Sequence, residues 1–130
     1  MTALFCMFLN EHQFPSLNQV INDSKLHWSV YHSQKKLHTL IVKTEAKRLW
    51  CGRPPISEKV VVRCDWQYPR SKGRGKDPDN ISFAIKYLLD GLVAAGVIPD
   101  DGPAQIESIH HYFAYHKEKG YGVTITLYGL

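Results

Sequence analysis

The stretch Lys59-Val-Val-Val-Arg-Cys-Asp-Trp-Gln-Tyr68 places Val60, Val62, Cys64, Trp66 and Tyr68 on one side of an extended chain, and Val61, Arg63, Asp65 and Gln67 on the other. Side chains alternate across a β-strand with a period of two, so residues 59–68 read as a strand buried on one face. A strand carrying two large aromatics on one face requires a second layer to cover it. The best candidate for that layer is 78–95. There Ile81, Ile85, Leu88, Leu92 and Ala95 recur at helical spacing, and Gly96 stands where a C-terminal cap belongs. Residues 34–50 give a second, moderately amphipathic helix, with Lys36, Lys43 and Lys47 on one stripe. Strands are expected at 3–9, apolar on both faces and so central, and at 105–115 and 121–128. Residues 10–33 are polar and turn-rich. The order β-α-β-α-β-β describes an α+β fold, a mixed sheet carrying two main helices. At 130 residues, 44% hydrophobic and 22% charged, the chain fits one domain over 1–130.

Three scattered cysteines (Cys6, Cys51, Cys64) suit a reducing compartment rather than a disulfide scaffold. The apolar opening from Leu4 to Leu9 is too short to span a bilayer and lacks the pattern of a signal peptide. A soluble protein of the cytoplasm, without membrane partners, is the expectation.

Sixteen basic and twelve acidic residues give a formal charge of +4, and their arrangement is uneven. The segment 69–76 holds Arg70, Lys72, Arg74 and Lys76; five acids then fall at Asp77, Asp79, Asp90, Asp100 and Asp101. Either half alone is ordinary: a solvated loop, a capped helix and an acidic turn. Together they read either as that ordinary surface or as a polyanion-binding loop beside a cation-binding pocket, which metal-assisted phosphodiester chemistry requires, and composition alone does not decide between the two. Asp77 is a natural N-cap before Pro78, and Asp79 is favoured in the first turn by the helix dipole. Lys86 and Asp90 follow Asp79 within about 20° of the same azimuth on a straight helix. That stripe is either a surface ion pair or the floor of a catalytic groove. Asp100-Asp101-Gly102 marks a turn. If that turn returns to the start of the helix, the carboxylates converge on a site for a hard divalent cation.

The series Asp77-x-Asp79-Asn80, Lys86-x-x-x-Asp90-Gly91-Leu92, Gly96-Val97-x-x-Asp100-Asp101 resembles the RusA-type Holliday junction resolvases, small endonucleases found mainly in phages and prophages. Pro15-Ser16-x-Asn18 resembles that family's N-terminal loop. The resemblance implies a dimeric hydrolase of phosphodiester bonds that uses Mg²⁺, with Mn²⁺ as a substitute, and resolves four-way DNA junctions by paired symmetric nicks in recombination and repair. Carried over by position, Asp77, Asp79 and Asp101 become the catalytic metal-binding carboxylates, with Asp100 the alternative in the acidic pair. Lys86 becomes the active-site lysine, and Arg70, Lys72, Arg74 and Lys76 the DNA-contacting residues. Lys86 comes seven residues after Asp79 rather than the four of the shortest family motif, an axial shift of about 4.5 Å. Rival readings are a metal nuclease for other branched DNA and a non-catalytic DNA-binding protein. Zinc binding through His110, His111, His116 and a cysteine is disfavoured, because neighbouring residues on a strand face opposite ways.

Overall fold

The computed structural model describes residues 1–10, 14, 19, 21, 22, 25, 28–69, 78–116 and 120–130, with the side chains of Asp79, Asn80 and His116 set aside. Its elements are β1 (Ala3–Asn10), α1 (Trp28–Trp50), β2 (Val60–Pro69), α2 (Pro78–Ser82), α3 (Ile85–Ala94), β3 (Ile106–His116) and β4 (Gly122–Gly129). The class is α+β, as the alternation and helical spacing predict. The four strands lie in the order β1-β4-β2-β3. β4 is antiparallel to both β1 and β2, while β2 and β3 run parallel.

Pairing register explains the core. Leu127 sits opposite Phe5 and Val62, Ile125 opposite Met7 and Cys64, and Val123 opposite Leu9 and Trp66. All nine are buried, so three strands lay one apolar grid on the side facing the helices. The expected alternation of 59–68 is therefore met: Val60, Val62, Cys64, Trp66 and Tyr68 are all buried. The expectation for 3–9 is corrected. Among the described residues β1 is an edge strand covered on one side only, and Phe8, apolar though it is, stands 51% exposed on the open face. An unbroken apolar run reports side-chain type, not burial on both faces.

α1 begins earlier than residue 34. Its buried residues His38, Val42, Ala46 and Trp50 recur every four positions, and Trp50 meets Phe5 of β1 edge-on at 5.9 Å between ring centroids. Its stripe is masked in the sequence because Trp28, Val30, Leu37 and Leu40 are apolar yet exposed. The helix expected at 78–95 is divided at Phe83-Ala84. There Ala84 N–H donates to Ile81 O, Lys86 N–H to Phe83 O and Tyr87 N–H to Ala84 O, three-residue bonds of a tighter turn. That period sets Ile81, Ala84 and Tyr87 on one line, and all three are buried; Ile85, assigned to the stripe by straight-helix spacing, is only half-buried.

The end of α3 follows expectation. Gly96 has φ 78°, Gly96 N–H donates to Val93 O, and Val97 N–H donates to Leu92 O, the paired bonds of a Schellman cap. Leu92 and Val97, the apolar pair that accompanies such a cap, are fully buried. α1 and α3 run side by side in the same direction: Tyr87 packs against His38, and Gly91 against Val42. A Cβ on Gly91 would lie 2.5 Å from Val42 Cβ and 3.1 Å from the Lys43 backbone nitrogen. Only glycine allows that approach.

Candidate functional site

After the Gly96 cap the chain enters the acidic turn, which is pinned at both ends. Val97 O accepts from Ile56 N–H at 2.9 Å, and Gly102 O accepts from Ile106 N–H at 2.9 Å where β3 begins. The side-chain amide of Gln105 is buried beneath it, donating to Ile56 O at 3.1 Å and Glu58 O at 2.7 Å. The pinning fixes the turn on the body of the fold.

Within the turn the two acids differ. Asp100 Oδ2 accepts from Gly102 N–H at 3.2 Å, an Asx-type contact that shapes the turn itself. Asp101 is exposed, and among the described residues it makes no hydrogen bond or ion pair. Its carboxylate is the member of the pair left over once folding is accounted for. Lys86 is likewise exposed, and Asp90, four residues on, forms no ion pair with it within 4 Å. The tight turn at 83–84 also rotates the chain more per residue than an α-helix does, so straight-helix azimuths do not carry from Asp79 to Lys86 and Asp90.

The topology sets these groups far apart. Val60 pairs with Ile106, so the Asp100-Asp101 turn stands where β2 and β3 begin. The chain leaves β2 at its other end, after Pro69, and returns through α2 and α3. Asp79 precedes α3, whose ten residues alone rise about 15 Å toward the turn. Within one chain the start of α2 and the acidic turn therefore lie at opposite ends of α3. Among the described residues no three histidine, cysteine or carboxylate side chains gather as a metal would require. Asp77, Arg70, Lys72, Arg74, Lys76 and the segment Pro15-Ser16-x-Asn18 lie outside the described residues, as does the Asp79 side chain.

His110 and His111 on β3 separate as strand geometry requires, while the His116 side chain lies outside the described residues. His110 faces the open side, its Nε2 3.0 Å from Ser108 Oγ. His111 lies on the helix side, where its Nδ1 accepts from Trp66 Nε1–H at 2.9 Å. Burial, then the neighbouring His110, lowers the His111 pKa below its ordinary value of 6.5. That bond leaves the imidazole proton on Nε2 and assigns the ring to packing.

Two features escaped the sequence. Gln105 gives no periodic signal, being a polar residue buried to satisfy two loop carbonyls. A groove between α1 and α3 brings Lys35 and His32 beside the expected Lys36 and Lys43, with Asp90 facing them. Lys35 and His32 flank the lysine stripe and could have been found by reading both sides of it. No helix among the described residues is long and apolar enough to cross a membrane. No protein-family model and no curated protein matches the chain.

Proposed function

We propose that the chain is a divalent-metal-dependent endonuclease for branched DNA, a RusA-like resolvase that cuts four-way junctions as a homodimer. One observation carries this reading. In the series from Asp77 to Asp101, folding uses Gly91 for helix contact, Leu92, Gly96 and Val97 for the cap, and Asp100 for the turn. It finds no use for the Lys86 and Asp101 side chains, which stand exposed and unbonded among the described residues. A lysine and a carboxylate displayed on anchored backbone fit chemistry on a phosphodiester.

Asp101 offers hard oxygen donors suited to Mg²⁺, and Asp77 and Asp79 are the other candidates for that role. When bound, Mg²⁺ supplies charge neutralisation at the attacked phosphate and an activated water. Because α3 separates Asp79 from Asp101, a shared site draws Asp77 and Asp79 from one copy and Asp101 from a second. The homodimer then becomes a condition of activity, and its two-fold symmetry suits two opposed nicks. Lys86 places positive charge beside the phosphate, and Arg70, Lys72, Arg74 and Lys76 hold the backbone on either side.

The test is cleavage of a labelled synthetic four-way junction beside a matched linear duplex, with Mg²⁺ or a chelator, by wild type, Asp79→Asn and Asp101→Asn. Paired nicks on the junction alone, dependent on Mg²⁺ and absent from both variants, are expected. Binding without cleavage under Mg²⁺ or Mn²⁺ would leave a DNA-binding protein, and cleavage undiminished in both variants would remove these aspartates from the chemistry.

A further inference from the structure

The parallel helices α1 and α3 enclose a groove of about 440 Å³, whose lining includes His32, Lys35, Lys36, Leu40 and Lys43 of α1 and Asp90 of α3. Three ammonium groups face a single carboxylate. Among the described residues no carboxylate lies within 4 Å of any of these lysines. Three like charges gathered in a concave site against one carboxylate, with no ion pair among the described residues, concentrate positive potential there and favour an anion. From Lys35 to Lys43 the helix rises about 12 Å, more than one small anion spans.

What distinguishes the occupant is the aromatic at the groove's end. Trp28 is 67% exposed, and its ring meets His32 edge-to-face at 4.2 Å between centroids. Leu40, within the groove, is 55% exposed. A free phosphate or the outer face of a duplex has no use for an exposed indole. A single strand presents phosphates and unstacked bases together, and sites for it combine a basic track with aromatic platforms. From Lys43 to His32 the groove runs toward the end of the fold where α2 begins, since α1 and α3 are parallel with His38 beside Tyr87 and Val42 beside Gly91.

We propose that the α1–α3 groove binds a single strand of nucleic acid, with phosphates on Lys35, Lys36 and Lys43 and a base against Trp28. This rests on the DNA-cutting reading and narrows the substrate to branched DNA with an unpaired arm or gap. The full chain is titrated into labelled (dT)20 and a matched duplex across a salt series, followed by fluorescence anisotropy. The variants are Lys35→Ala/Lys36→Ala/Lys43→Ala, Trp28→Ala and Asp90→Asn. Three lost single-strand phosphate contacts should lower the salt slope for (dT)20 by about 2. Trp28→Ala should weaken (dT)20 binding about tenfold and leave the duplex unchanged. Asp90→Asn should tighten (dT)20 binding, a gain that misfolding cannot imitate. A wild type that binds junction and duplex but not (dT)20 overturns the groove proposal alone, as does an unchanged salt slope in the triple variant. Equal losses on duplex and single strand, with no effect of Trp28→Ala, also overturn it. A wild type that binds no DNA overturns both this proposal and the reading it rests on.

Discussion

Asp79→Asn and Asp101→Asn chains, each inactive alone, should recover nicking when they are mixed. Two oxygens on one Mg²⁺ lie at most about 4 Å apart, because each sits about 2.1 Å from the ion. Within one chain, α3 alone interposes about 15 Å between the start of α2 and the acidic turn. If sites are shared between copies, a mixed dimer has one site with both substitutions and one with neither. Random exchange makes about half of the dimers mixed, so total nicking should return to about a quarter of the wild-type rate. The product should also change. Each mixed dimer holds one working site, so the junction should be nicked on a single strand instead of resolved. The assay is gel separation of nicked and resolved junction after the two chains are unfolded together and refolded, against each variant treated alone. If refolded mixtures stay as inactive as the separate variants while refolded wild type is active, Asp79 and Asp101 of different chains do not share a metal and α3 does not dictate a shared site.

Three further outcomes follow from the packing. Gly91→Ala should lower stability by about 1–3 kcal/mol in urea unfolding, because its methyl meets Val42 and the Lys43 backbone and forces two parallel helices apart. Gln105→Leu should lower stability by about 1–3 kcal/mol and slow junction cleavage, since it strips the amide from the Ile56 and Glu58 carbonyls and loosens the turn carrying Asp101; unchanged values in both assays would contradict the anchoring role. The His111 pKa is lowered in the fold, so the unfolded chain binds this proton more readily. Its contribution to stability is therefore complete above the ordinary value of 6.5 and is lost as pH falls through the lowered folded value. The melting temperature of wild type should drop further between pH 7.5 and about pH 5 than that of His111→Phe, and equal drops would remove His111 from the account.

Periodicity made the central part of this fold legible. Residues 59–68 could be oriented because large apolar groups alternate with Arg63, Asp65 and Gln67, and the close of α3 because Gly96 follows a clean stripe. β1 is harder, since Cys6 and Phe8 are as apolar as Phe5, Met7 and Leu9, and only burial in the fold shows which set meets the helices. The division at Phe83-Ala84 carries no proline or glycine to announce it. At the candidate site only the resemblance puts Asp101 ahead of Asp100, whereas the bond from Gly102 N–H to Asp100 gives the two side chains physically different roles. Convergence of the aspartates cannot be read from spacing at all, because it depends on which ends of β2 and β3 lie together.

The position of β4 has a consequence for the order in which the protein can be made. β4 lies between β1 and β2, yet follows the other described strands in sequence, and Phe5 must find Leu127. As synthesis proceeds from the N-terminus, β1 emerges first and waits for residues 122–129 before it has a strand to pair with. β2 and β3 can meet earlier, but one edge of β2 stays open until β4 inserts. Pairings this distant in sequence close slowly and expose unpaired strand edges meanwhile. The nascent chain should therefore depend on chaperones most in the interval before β4 leaves the ribosome.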